Sequence, residues 1–113
     1  KGSAPVLIFD EIDTGVGGAV ADAIGKRLAR LAGGLQVLAV THSPQVAARA
    51  SQHLLISKME DVGAKRMVTR VQPLSPQSRR EELARMLSGA SITDAARAQA
   101  DQLLADHVKV GQA

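Results

Sequence analysis

The 113 residues include no cysteine, tryptophan or tyrosine, and Phe9 is the only aromatic residue. Without cysteine the chain can build neither a disulfide nor a thiolate metal site. With one aromatic ring it cannot assemble the stacking platform that many single-strand binders use, so any DNA contact has to be electrostatic. No apolar stretch approaches the length that spans a bilayer. The opening Lys1-Gly2-Ser3-Ala4-Pro5 has no apolar signal-peptide core, so a cytoplasmic location is expected. Repeats, low-complexity tracts and a sustained heptad pattern are missing too, which rules out a coiled coil within these residues. A phosphate-cradling G-x-x-x-x-G-K-[ST] loop is not there either: the only Gly-Lys pair, Gly25-Lys26, has Val20 in place of the first glycine and Arg27 in place of the hydroxyl.

Charge is modest. Fourteen Lys and Arg against eleven Asp and Glu give a net charge of +3, compatible with DNA contact without requiring it. The densest basic pair, Arg79-Arg80, is followed at once by Glu81-Glu82 and reads as a solvated helix face. A hydrophobic content of 45% over this length suits one small domain.

The most informative stretch is residues 6–13, VLIFDEID. Four apolar residues ending in acid read as a strand buried on both faces of a parallel sheet, with carboxylates at its tip. Ligands of open α/β sheets bind outside the carboxyl ends of the strands. That spacing suits nucleotide hydrolysis, with Asp10 holding Mg²⁺ and Glu11 positioning or deprotonating an attacking water. A loop with Gly15, Gly17 and Gly18 follows, then a helix over 19–32 whose stripe of Val20, Ile24, Leu28 and Leu31 faces the sheet and whose stop is Gly33-Gly34. Residues 36–40, QVLAV, form a second strand ending in Thr41-His42-Ser43 before Pro44. A crossover of this length joins parallel strands and brings both carboxyl ends to one edge; if the two strands are also close neighbours, His42 falls near Asp10 and Glu11. An imidazole there could bond a terminal phosphate or the attacking water. His53 and His107 have no such company and read as ordinary structural or surface residues.

The remainder reads as an antiparallel pair over 52–59 and 65–74, turning through Glu60-Asp61-Val62-Gly63. A helix over 76–88 follows, capped by Ser75 with proline in its first turn and directing Leu83, Met86 and Leu87 inward. Leu87-Ser88-Gly89-Ala90 reads as a helix end with a glycine stop. A last helix over 95–108, introduced by Ser91 with Asp94 three residues on, carries Ala96, Ala100, Leu103 and Leu104 inward. Met59, Met67 and Met86 are core or half-buried candidates, and 111–113 are expected to fray.

LIFDEIDTGVGG followed by VLAVTHSPQVAARA resembles the RecN family of bacterial double-strand-break repair proteins, SMC-like ATPases of the ABC type. The resemblance covers most of the chain, and Gln45-Val46-Ala47 after Pro44 favours RecN over other SMC-like proteins. It implies an α/β fold: the C-terminal lobe of a P-loop ABC/SMC-type ATPase head over residues 1–113, a parallel βαβ core followed by a β-hairpin and two helices. By the same resemblance the P-loop, signature motif and coiled coil lie outside this chain. Residues 7–10 would be the Walker B strand, Asp10 the Mg²⁺ ligand, Glu11 the catalytic glutamate and His42 the switch histidine. Asp13 and Gly15 would belong to the D-loop that meets an opposing head and its nucleotide. ATP and Mg²⁺ are the implied cofactors. The implied partners are an N-terminal P-loop lobe, a second copy through ATP-engaged heads, and DNA through the complete protein at the bacterial nucleoid. Two other readings remain: a DExD-box helicase fragment, which should show a Ser-Ala-Thr-like strand end where this chain has Thr-His-Ser, and a non-enzymatic module that keeps the fold.

Overall fold

Apolar runs too short for helices pair with one another, and longer periodic segments close over one side of them. The computed structural model describes residues 6–89 and 91–112, with side chains through residue 106. The expectations for residues 1–5, for Ala90 and for the side chain of His107 lie outside the described residues. The elements are β1 (Val6–Asp10), α1 (Gly18–Leu31), β2 (Gln36–Val40), α2 (Pro44–Ala47), β3 (Leu54–Asp61), β4 (Arg66–Pro73), α3 (Pro76–Ser88) and α4 (Asp94–Gln112). β1 and β2 pair in parallel, from Val6 opposite Gln36 to Asp10 opposite Val40. β3 and β4 pair antiparallel, from Leu54 opposite Pro73 to Asp61 opposite Arg66. The expected βαβ unit, hairpin and two helices are all present in that order.

Only one face of the β1–β2 pair is covered, against the expectation of burial on both. Phe9 and Val37 pack on α1, whereas Ile8 on the other side is 70% exposed. Two strands have two faces, and α1 can cover only one of them.

α1 also turns differently from its apolar stripe. Its buried positions are Ala21, Gly25 and Leu28, packed with Ile24, while Val20 and Leu31 are exposed. The cause is α2, which the sequence reading did not anticipate. A Cβ on Gly25 would meet Arg49 Cγ at 2.9 Å, the Gln45 carbonyl oxygen at 3.2 Å and Val46 Cα at 3.3 Å. The small residues of α1 admit the α2 backbone at close range, and that contact outweighs burial of the larger side chains on either flank. Asp22 and Arg49 add an ion pair at 3.0 Å between α1 and the residue just beyond α2.

α2 joins two small cores. Val46 belongs with Ala21 and Leu28, and Ala47 and Ala48 belong with Leu83, Ala84, Ala96 and Ala100 of α3 and α4. Arg79 is half-buried rather than part of a solvated face: its guanidinium donates to the carbonyls of Ala47 and Ala48 at 3.0 and 3.2 Å, and to that of Ala50, closing the end of α2. Arg80 pairs with Asp101 and Arg97 with Glu81, linking α3 to α4. Ser75 caps α3 as expected, accepting from the Ser78 N–H at 3.2 Å, and Gly89 ends it with φ +79°. Thr93, not Ser91, caps α4, accepting from the Ala96 N–H at 3.1 Å. α4 continues through Gln112, beyond the expected end at 108 and into residues expected to fray. The hairpin turns two residues later than expected, with Lys65 at φ +54° and Asp61 accepting from the Ala64 N–H. Met59 and Met67 are exposed on its strands instead of buried.

Candidate functional site

The parallel register brings the carboxyl ends of β1 and β2 together with no offset, and pairing runs one residue past β1: the Glu11 N–H donates to the Val40 carbonyl at 2.8 Å. There the chain breaks its extended course, because Glu11 has φ +53°. For a residue with a side chain that conformation costs about 1–2 kcal/mol. Strain of this kind concentrates where a side chain has to be aimed. The turn is closed by the Thr14 N–H on the Glu11 carbonyl at 3.2 Å and the Val16 N–H on that of Asp13 at 3.4 Å.

Its effect is to bring the Glu11 carboxylate to the end of β2. Glu11 Oε1 lies 3.3 Å from His42 Nε2, with the histidine side chain 89% exposed and the glutamate 44%. So exposed a pair adds little to stability. What it provides is a carboxylate and an imidazole side by side at the strand ends, open to a ligand.

Asp10 takes a different position. Strand alternation puts it on the face of Ile8 and Val6, the face that α1 does not cover, and its side chain is exposed there. The two neighbouring carboxylates, read from sequence as one cluster, therefore diverge across the strand tip. Among the described residues no group of three or more His, Asp or Glu side chains is arranged to hold a metal. Asp10 alone could supply one oxygen. This suits Mg²⁺, which keeps several waters and commonly takes one or two carboxylates together with substrate phosphates.

Beside Glu11 and His42 lies a cavity of about 340 Å³, lined by Asp13, Gly15, Gly18 and Gln45 among others. α1 starts at its wall with Gly17 as N-cap, no side-chain capping bond and no acid in the first turn. Asp13 is only 7% exposed and accepts a hydrogen bond from the Thr41 hydroxyl. Thr41 Oγ1 in turn accepts from the Ser43 N–H at 2.9 Å. The Ser43 hydroxyl accepts from the Val46 N–H at 3.4 Å, capping α2, and donates to Gln45 Oε1 at 2.9 Å. The geometry thus gathers Glu11, Asp13, Gly15 and His42 around one cavity and leaves Asp10 on the other side of the strand.

The sequence assigned Thr41, Ser43 and Gln45 no chemical role. Ser43-Pro44 was the available signal, a capping residue followed by proline at the first helical position. A second groove of about 700 Å³ runs between the uncovered face of β1–β2, the hairpin and α3. His53 lies along it with a buried Nδ1 that has no hydrogen-bond partner. Burial, and then the nearby Arg79 charge, push its pKa below the usual histidine range. It has no part in the Glu11–His42 constellation, in keeping with a structural histidine.

No family model matches the chain. Individual proteins do. DNA repair protein RecN of Bacillus subtilis is 49% identical over 105 residues, 91% of this chain. About nine-tenths of the chain aligns with RecN sequence. RecN of Streptomyces coelicolor is 49% identical over 100 residues, and RecN of Rickettsia bellii 47% over 100, each match covering 88% of the chain. The chain spans only 17–18% of the length of these RecN relatives. Among solved structures, a chain from work on ATP-driven dimerization and DNA-stimulated activation of SMC ATPases superposes with a TM-score of 0.62 at 22% identity. The superposition covers 78% of this chain and 51% of that one. The α/β fold is shared with that SMC ATPase chain, as the RecN resemblance implied.

Proposed function

We propose that this RecN-type segment is the hydrolytic edge of an ATP site in a DNA double-strand-break repair and recombination ATPase, completed by a P-loop lobe of the same protein and by a second head. The observation that carries this reading is the apposition of Glu11 and His42, 3.3 Å apart at the ends of adjacent parallel strands.

Each residue then has a distinct task. Glu11 orients the attacking water and takes its proton on the carboxylate. His42, largely solvated and next to that carboxylate, donates a hydrogen bond to the terminal phosphate as charge develops there. Asp10 would hold Mg²⁺, which would neutralise charge on the phosphates. Asp10 stands on the uncovered face, where another lobe has room to pack. The turn at Gly15 is the surface offered to the opposing head and its nucleotide, whereas Asp13, expected there from the resemblance, is buried against Thr41. The sequence has no P-loop motif to cradle phosphate, so this chain alone is expected to bind Mg²⁺-ATP weakly and not to turn it over. DNA contact is electrostatic and belongs to the complete protein, in the bacterial cytoplasm at the nucleoid. RecN-type sequence on an SMC ATPase fold supports this reading over a DExD-box helicase.

The test separates the carboxylates in the complete protein. Glu11→Gln should bind ATP, lose at least roughly 10²-fold in turnover, and accumulate ATP-dependent dimers visible by light scattering. Asp10→Asn should lose productive Mg²⁺-ATP binding instead, and His42→Ala should lower kcat much more than it weakens ATP affinity. Normal hydrolysis by Glu11→Gln, or ATP trapping by Asp10→Asn, would overturn the assignment.

A further inference from the structure

Glu11 and His42 cannot hold their own geometry. The His42 side chain is almost wholly in water and that of Glu11 nearly half, and there one contact between a carboxylate and an imidazole is too weak to fix either rotamer. Their alignment has to come from the backbone segments that carry them, and those segments are tied together at one point beyond the sheet. The Thr41 hydroxyl donates to Asp13 and accepts from the Ser43 N–H. One bond grips the chain two residues after Glu11. The other spans His42, from the residue before it to the residue after. Together with the Glu11 N–H on the Val40 carbonyl, the turn carrying Glu11 is held at both ends.

We propose that Thr41 and Asp13 form a positioning latch that sets the Glu11–His42 geometry, so that Asp13 acts through Glu11 instead of contacting nucleotide. The inference rests on the ATPase reading above. Asp13 is suited to the task because a carboxylate this buried needs a donor, and a hydroxyl bond to a charged acceptor is among the stronger neutral-to-ion contacts. The strained φ of Glu11 supplies the load, since without the tie the turn would relax toward ordinary backbone and swing the carboxylate away from His42.

The experiment compares Thr41→Val, which keeps the shape and removes the hydroxyl, with Thr41→Ser, which keeps the hydroxyl, both in the complete protein. A displacement of about 1 Å at a reacting group can cost 10²-fold, so Thr41→Val is expected to lower kcat by at least about tenfold. The dissociation constant for Mg²⁺-ATP should stay within about threefold, because ground-state binding is not what the latch serves. Thr41→Ser should regain most of the turnover. If Thr41→Val does not fold, Thr41→Ala takes its place with the same expected split. A variant that only melts at lower temperature, with kcat per active site unchanged, would overturn the latch, and so would equal losses in Thr41→Val and Thr41→Ser. Glu11→Gln run alongside separates the two ideas. If Glu11→Gln still hydrolyses ATP, the site assignment itself has failed. If Glu11→Gln is inactive while Thr41→Val turns over normally, only the latch has.

Discussion

The two faces of the β1–β2 pair both carry large apolar residues and have opposite fates. On one, Phe9 and Val37 meet Ile24, Ala21 and Leu28 of α1 and Val46 of α2. On the other, Val6, Ile8, Leu38 and Val40 stay exposed, and the last three border the larger groove. Composition therefore does not decide which face is core. Cover does, and here cover comes from a helix whose small residues let α2 approach. Asp10 stands on the uncovered face while Glu11, one residue on, turns to the end of β2. The division between faces is thus also a division of labour between the two carboxylates.

Truncation on either face gives the largest contrast. Phe9→Ala is expected to cost about 2 kcal/mol, less than the roughly 3–5 kcal/mol of a fully enclosed phenylalanine because the site is only partly buried. Ile8→Ser on the open face should shift stability by less than about 0.5 kcal/mol, while weakening concentration-dependent self-association in sedimentation. Urea melts of both variants check the pair, and equal losses would show that the two faces are not distinct.

Gly25→Ala tests the cover itself. A helix interior gains about 1 kcal/mol from the exchange, but overpacking against backbone commonly costs 1–3 kcal/mol. Two of the three atoms a Cβ would meet are backbone, and the third belongs to Arg49, held by Asp22. A net loss of about 1 kcal/mol is expected in thermal melts; a stabilised Gly25→Ala would show that α2 is free to move away.

The smallest effect separates the faces by pH. On the covered side Asp22 titrates below its usual 3.8, chiefly through the hydrogen bond from Arg49, so its contribution is present above pH 3.8 and is lost as pH falls through the lowered value. Along the open groove, burial holds His53 below its usual 6.5, so the unfolded chain takes up that proton first and stability declines as pH drops from 6.5. Asp22→Asn should flatten the acid limb below pH 3.8, and His53→Gln the limb just below 6.5, in melts across pH. Loss of the upper limb in Asp22→Asn would reverse the assignment.

Much of the fold was legible because its signals are local. The runs of 6–10 and 36–40 ending in polar residues, the Ser75-Pro76 start of α3 and the Gly89 stop each depend on a few adjacent residues, and each reads correctly. The proximity of His42 to Glu11 followed from strand–helix–strand order once β1 and β2 pair directly, an adjacency that order by itself leaves open. What escaped depends on contacts between distant segments. The turn of α1 toward Ala21 and Gly25, the capping of α2 by Arg79 and the burial of Asp13 against Thr41 are set by residues about 20–30 positions away.

The chain's order of apolar runs, glycines and polar strand ends by itself determined a parallel βαβ unit with acid and histidine at one edge, because hydrophobic periodicity and crossover length leave few alternatives. Only the tertiary structure decided that Asp10 and Glu11 part company. Alternation along β1 sends one carboxylate to the uncovered face, while a left-handed turn, held by a carbonyl of the neighbouring strand and by the hydroxyl just beyond it, carries the other to His42.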